Sequence, residues 1–148
     1  MPEEQDLDER VAELEPPYRS RGEVKVGRLL DQYGIPFFYE HPLLILDRGR
    51  HRVWHPDFTL PTHGGLIVEY AGMPDRPDYM QGIRHKARAF EANGVAALFL
   101  YPWDLLGERW QEHVIARVEY ASRSRPKPLR PPEMRPDYGC YGARSARY

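Results

Sequence analysis

Two carboxylates in the middle of the chain lie where ionised side chains are uncommon. Asp57 follows Pro56 at the start of a short apolar run, and Glu69 follows the apolar residues 66–68. Burying an ionised carboxylate in such surroundings is costly unless it is paired with, or bound to, a cation. Their placement therefore indicates a cation-binding site.

The two carboxylates are predicted to be neighbours in a sheet, because they lie on consecutive strands joined by the turn of residues 61–65. Alternation along the second strand places Glu69 with Ile67 on a covered face. Carboxylate oxygens in a partly open site suit Mg²⁺ or Mn²⁺, which keep several waters and bind the phosphate oxygens of substrates. The pair therefore predicts a divalent-metal site that acts on a phosphate compound.

A lysine on the following predicted helix is the candidate partner of this pair. At about 100° per residue, Lys86 falls within the apolar stripe that contains Ile83 and Phe90, whereas Arg84 and Arg88 fall outside it. The stripe should pack against the sheet that carries Glu69. The ammonium would offset buried negative charge, orient a metal-bound water, or stabilise charge at phosphorus.

The elements that position these residues follow from periodicity and turn chemistry. Ser20 and Glu23 have capping-box spacing at the start of a first helix, which Gly34 closes. The later elements are strands over 35–46, 51–60 and 66–70, a helix from Asp78 to 93–94, a strand over 95–101 and a helix from Asp104. The predicted order is α-β-β-β-α-β-α. The first three strands form an antiparallel meander, and the fold is an α/β mixed sheet flanked by helices.

Length and composition predict one domain with two tails. The chain has 148 residues, of which 41% are hydrophobic. We assign 1–17 to an acidic extension, 18–121 to the domain and 122–148 to a basic Pro/Arg-rich tail predicted to be disordered. No run of about eighteen apolar residues and no basic-apolar leader is present, which predicts no membrane contact and a cytoplasmic, intracellular location. The single cysteine, Cys140, excludes disulfides within the chain.

The charge asymmetry suggests a polyanionic partner. Arginines recur through residues 123–147 with Tyr138, Tyr141 and Tyr148 between them, and basic segments with aromatics suit nucleic-acid backbones and unstacked bases. A solvated tail without a specific partner explains the same composition.

Residues 24–104 and the capping Glu23 resemble the PD-(D/E)XK nuclease superfamily, which has the restriction-endonuclease-like fold, and in particular its compact nuclease modules. The motifs that carry the resemblance are Glu23 on the first helix, Tyr39-Glu40 on the first strand, Pro56-Asp57-Phe58, Glu69 after Leu66-Ile67-Val68, and Tyr79 with Lys86 on the next helix. One position departs from the family pattern, because the usual lysine two residues after the second carboxylate is Ala71 here. Some branches of the superfamily supply the lysine from the following helix instead, and Lys86 fits that arrangement.

The resemblance implies a Mg²⁺-dependent or Mn²⁺-dependent DNA endonuclease, a hydrolase of phosphodiester bonds. Asp57, Glu69 and the backbone carbonyl of Tyr70 would hold the cation, and Lys86 would position the attacking water. Glu23 would bind a second cation through water or orient Lys86.

Substrate binding is assigned to the same helix. Tyr79 would contact a phosphate, and Arg84 and Arg88 are candidate substrate-binding residues. DNA is the expected partner; RNA and a homodimer are left open.

Several of these residues also have plain structural explanations. Glu23 can serve as a helix cap, Asp57 can belong to a turn, and Glu69 with Lys86 can form a buried structural ion pair. Two other classes of protein remain open. One is a DNA-binding module that keeps the nuclease fold but not cleavage, as Ala71 suggests. The other is a protein-interaction domain whose acidic head and basic tail mediate assembly.

Overall fold

The computed structural model describes residues 15–124. Helices and strands follow one another in the order α1 (Arg21–Gln32), β1 (Phe38–Tyr39), β2 (Leu43–Asp47), β3 (Arg50–Trp54), β4 (Phe58–Leu60), β5 (Leu66–Tyr70), α2 (Pro77–Ala92), β6 (Ala97–Leu100) and α3 (Trp110–Arg123). Short 3₁₀ helices lie at Pro61–His63 and Pro102–Leu105.

The main sheet has the strand order β1-β4-β5-β6, and β2 pairs only with β3 in a separate hairpin. β4 runs antiparallel to β1 and to β5, whereas β6 runs parallel to β5 after the crossover through α2. The predicted α/β class, with a mixed sheet flanked by helices, is confirmed, as is the parallel last strand.

The predicted three-strand meander is wrong in its detail. The expected strand over 35–46 divides at Glu40, whose φ is 51°, and Pro42, and the expected strand over 51–60 divides at Pro56. Proline has no N–H to donate to a strand ladder, so the chain leaves the main sheet at both places. Five strands therefore precede α2 instead of three, and β2 and β3 form the separate hairpin.

The start of α1 agrees with the prediction from its capping residues, whereas the start of α2 does not. Ser20 is the N-cap of α1, and its Oγ accepts from the Glu23 amide at 3.1 Å, as predicted. Asp78 does not cap α2, because Pro77 already occupies the first helical position.

The last helix begins later and ends later than predicted. Asp104 lies in the 3₁₀ turn, where its Oδ2 accepts from the Tyr101 amide at 2.8 Å, and Gly107 at φ 100° separates this turn from α3. α3 ends at Arg123, so it passes the domain boundary predicted at residue 121. The properties predicted for residues 1–14 and 125–148 lie outside the described residues.

The two faces of the main sheet are covered by different elements. α1 and α3 pack on one face around Phe58, Val68 and Leu100, all fully or almost fully buried. α2 and the hairpin pack on the other face, where Ile45 and Phe90 are buried. No helix within residues 15–124 is long and apolar enough to cross a membrane.

Candidate functional site

The two predicted carboxylates lie side by side at one end of the main sheet. Phe58 pairs with Val68, and extending that antiparallel register by one residue sets Asp57 opposite Glu69. Asp57 Oδ2 accepts a hydrogen bond from the Tyr70 amide at 2.8 Å. The carboxyl groups of Asp57 and Glu69 lie within hydrogen-bonding reach of each other.

This pair is a source of electrostatic strain. Glu69 is only 5% exposed. Burial, and after it the charge of Glu69, raises the pKa of Asp57 to about 8. Two carboxylates at such close range cannot both ionise cheaply unless a proton or a cation lies between them. The arrangement is therefore chemically suited to bind positive charge.

Lys86 approaches the pair from α2. Its Nζ lies 3.7 Å from Glu69 Oε1, and the lysine side chain is 44% exposed while that of Glu69 is 7% exposed. The ammonium therefore lies on the solvent side of the buried carboxylate. One ammonium faces two carboxylates, which leaves the site short of positive charge.

Two pockets open on either side of the Glu69–Lys86 ion pair. The carboxylate pocket has a volume of about 310 Å³ and is lined by Asp57, Tyr70, Tyr79, Glu69 and Lys86, together with Asp78, Gly82 and Ile83. The tryptophan pocket has a volume of about 280 Å³ and is lined by Val53, Trp54, His55, Pro56, Glu69 and Lys86. Each pocket is large enough to admit a phosphate group and water.

No family model, curated protein or solved structure matches this chain.

The oxygen donors fit a hard divalent cation. Within residues 15–124, no cluster of three or more His, Cys, Asp or Glu side chains could hold a metal ion. The candidate set consists instead of two carboxylates, Asp57 and Glu69, with the backbone carbonyl of Tyr70. Mg²⁺ commonly uses one or two carboxylates and keeps several waters, so the strained pair fits that ion.

Glu23 has a different environment from the one that the resemblance implies. It is 6% exposed, and its carboxylate accepts from the hydroxyls of Ser20 at 2.7 Å and Tyr39 at 2.6 Å. Among the described residues no hydrogen bond or ion pair joins it to Lys86. Its charge nevertheless contributes to the raised pKa of Asp57, so it acts on the pair through space.

Of the three predicted substrate-binding residues, only Tyr79 reaches the site. Its hydroxyl accepts from the Gly72 amide at 3.1 Å, and burial raises its pKa. Arg84 and Arg88 are exposed on α2 and line neither pocket. The helical rotation that carries Lys86 towards the sheet turns both arginines away from it.

Ala71 occupies the position at which the family pattern has a lysine. It is fully buried, and its amide donates to the Leu100 carbonyl at 2.7 Å. The lysine that lines both pockets is Lys86, on α2.

One cluster was missed by sequence reasoning. Asp47 is only 9% exposed; its Oδ1 lies 3.0 Å from His85 Nε2 and its Oδ2 lies 3.8 Å from Arg52 Nε. The alternation of Asp47 with the buried Ile45 was the available signal. Its partners could not be found that way, because they lie on other elements.

Proposed function

We propose that this protein is a Mg²⁺-dependent or Mn²⁺-dependent phosphodiesterase that cleaves DNA, with an active site of the PD-(D/E)XK type. The observation that carries the proposal is the buried Asp57–Glu69 pair with Lys86 above it and an open pocket on each side. A purely structural ion pair would match charges and exclude water, whereas this site has a second carboxylate that needs a proton or a cation, next to accessible space.

Asp57, Glu69 and the carbonyl of Tyr70 would hold the cation, which supplies Lewis acidity and a more acidic bound water. Lys86 keeps its ammonium at the mouth of both pockets, where it orients the attacking water and stabilises negative charge on the phosphate oxygens. Tyr79 lines the carboxylate pocket, where it contacts the phosphate.

Glu23 is assigned a positioning role. Its hydrogen bonds to Ser20 and Tyr39 hold the start of α1 against β1, and its charge favours retention of a proton or a cation at Asp57. This assignment replaces the orientation of Lys86 that the resemblance implied, and the binding of a second cation through water stays a prediction.

A second candidate function is DNA binding without cleavage. Ala71 favours it, since alanine in the usual lysine position can neither polarise water nor balance charge. In that case the pair would still bind a cation, but Lys86 would serve only to neutralise Glu69.

A cleavage assay separates the two candidates. The full chain is incubated with supercoiled, linear, single-stranded and branched DNA in Mg²⁺ or Mn²⁺, beside Asp57→Ala and Lys86→Ala. Lys25→Ala is the matched control, because Lys25 lies on the other face of the sheet, where its Nζ contacts the Leu105 carbonyl at 3.4 Å.

We expect cleavage by the wild type and by Lys25→Ala. Asp57→Ala should be inactive, and Lys86→Ala should be slower by about 10²-fold while it retains metal affinity. Tight DNA binding with every substrate left intact in both metals would overturn cleavage and support the second candidate. An unchanged cleavage rate in Lys86→Ala would mean that Lys86 takes no part in catalysis.

A further inference from the structure

The hairpin of β2 and β3 is a concentrated basic surface next to the candidate site. Residues 48–56 contain Arg48, Arg50 and Arg52 and no acidic residue. Arg48 and Arg50 are exposed, and the side chain of Arg52 is 53% exposed. The one carboxylate at the base of the turn, Asp47, is buried against His85. The hairpin therefore presents a net positive surface to solvent.

One row of side chains connects this surface to the site. Arg50, Arg52 and Trp54 lie opposite Asp47, Ile45 and Leu43, so they share one face of the hairpin.

The inner end of this row reaches the tryptophan pocket, where Trp54 lies beside Glu69 and Lys86. At about 3.3 Å per residue, Arg50 lies roughly 13 Å along the strand from Trp54. The row therefore leads from the candidate site to the tip of the hairpin.

The tip carries an arginine in an unfavourable backbone conformation. Arg48 has φ 52° and Gly49 has φ 75°, the left-handed pair of a type I′ turn. Asn or Gly is normally preferred at the first of these positions, because other side chains are strained there. A Cβ built on Gly49 would meet nothing within 4 Å, so the tip projects into open space. Arg48 is exposed, so packing does not explain why an arginine occupies this strained position. Backbone strain of this kind is typical of functional positions.

The hairpin is held rigidly against α2. The side chain of Asn93 accepts from the Leu46 amide at 2.9 Å and donates to the Leu46 carbonyl at 3.0 Å. Trp54 packs edge-on against Phe90 with ring centroids 5.5 Å apart. The backbone that carries the arginines of the tip is therefore fixed relative to Glu69 and Lys86, which lowers the entropic cost of binding.

We propose that this hairpin binds the phosphate backbone of duplex DNA about four base pairs to one side of the cleaved bond, since roughly 13 Å spans about four base-pair rises of 3.4 Å. This inference rests on the proposed function, because the site defines where the bond is cleaved. A duplex is favoured over a single strand, because Trp54 is the one Phe, Trp or Tyr between residues 43 and 54 and its ring already contacts Phe90 and His85.

Binding is measured first, in EDTA so that no hydrolysis occurs. The full chain is titrated into a labelled 24-base-pair DNA duplex over a range of salt concentrations. Arg48→Ala/Arg50→Ala is compared with the wild type and with Lys25→Ala/Arg109→Ala, which removes the same charge from exposed positions on α1 and at the N-cap of α3, on the opposite side of the sheet.

We expect the hairpin variant to bind about tenfold more weakly and to reduce the slope of log K against log salt by about 2, as for two lost phosphate contacts. The Lys25→Ala/Arg109→Ala control should bind as the wild type does. Equal losses in the two variants, no loss in the hairpin variant, or no duplex binding by the wild type would each overturn the proposal. A larger loss for single-stranded DNA or duplex RNA than for duplex DNA would overturn the assignment to duplex DNA.

Cleavage in Mg²⁺ then separates this proposal from the proposed function. If the wild type cleaves, the hairpin substitutions should raise KM more than they lower kcat. The difference in KM between variant and wild type should vanish on duplexes with fewer than about four base pairs on one side of the cut. Cleavage without such a difference would remove the hairpin from substrate binding and leave the hydrolase proposal intact. Hairpin-dependent binding without cleavage would overturn the hydrolase proposal and leave the hairpin as the DNA-binding surface.

Discussion

Two carboxylate clusters flank α2, and adjacent residues of that helix supply a basic group to each. In the structural cluster, one carboxylate, Asp47, faces both His85 and Arg52. In the candidate site, two carboxylates, Asp57 and Glu69, face the single ammonium of Lys86. The first cluster links the hairpin to α2, whereas the second opens to two pockets. Charge balance, more than burial, distinguishes a structural ion pair from a ligand-binding site here.

The largest expected difference between the clusters is in turnover. Removing charge from the candidate site with Glu69→Gln should reduce DNA cleavage by about 10³-fold or more, since several kcal/mol of transition-state stabilisation would depend on the cation that Glu69 is proposed to hold. Asp47→Asn should leave kcat within about threefold, because it contacts no reacting group. Single-turnover rates with saturating DNA measure both. A loss in Asp47→Asn as large as that in Glu69→Gln would break the distinction.

The next difference is in stability. Asp47→Ala should lower the free energy of unfolding by about 2 kcal/mol, because it leaves His85 and Arg52 without their shared buried partner. Urea denaturation at constant pH gives this value. Ser124→Ala, at an exposed site just after α3, is the control and should lie within about 0.5 kcal/mol of the wild type. An unchanged urea midpoint for Asp47→Ala would mean that the packing of the hairpin on α2 does not depend on the contacts of Asp47 with His85 and Arg52.

The smallest difference appears in how pH affects the metal-free protein. The pKa of Asp57 is raised from 3.8 to about 8, so the folded chain holds this proton more tightly than the unfolded chain. The contribution of this group to stability is therefore greatest at low pH and falls as pH rises between these two values. Asp57→Asn should remove the part of the pH-dependent loss of stability that comes from this group, which is at least about 1 kcal/mol in the free energy of unfolding between pH 5 and pH 8.

Mg²⁺ provides the check on this interpretation. The ion should restore stability to the wild type at pH 8, because it stabilises the ionised pair, and it should have a smaller effect on Asp57→Asn. Parallel pH profiles for wild type and variant, with and without Mg²⁺, would show that the pair is neither strained nor metal-binding.

Local and periodic features were well predicted from the sequence. Ser20, Glu23 and Gly34 mark the start and end of α1, because capping depends on residues within one turn. Helical periodicity correctly set Lys86 with Ile83 and Phe90, so its approach to Glu69 followed from the packing of one amphipathic face. The two strands predicted through Pro42 and Pro56 are each divided in the structure. The prolines were the available signal for these breaks, but they do not indicate that the segment between them forms a separate sheet.

Interactions between distant elements were not predicted. The partners of Asp47 lie on β3 and α2, and the engagement of Glu23 by Tyr39 depends on how α1 meets β1. Arg84 and Arg88 have the composition of a phosphate-binding pair, yet their rotation on α2 turns them away from the pockets.

The sequence by itself determined the limits of α1, the alternation along β5 and the helical face that carries Lys86, because each depends on backbone geometry over a few residues. The tertiary structure decided that Asp57 and Glu69 meet with only one ammonium, and that Arg50 and Arg52 lie in one row with Trp54. Those outcomes depend on which strands pair and at what register, and that choice reflects the packing of the whole core.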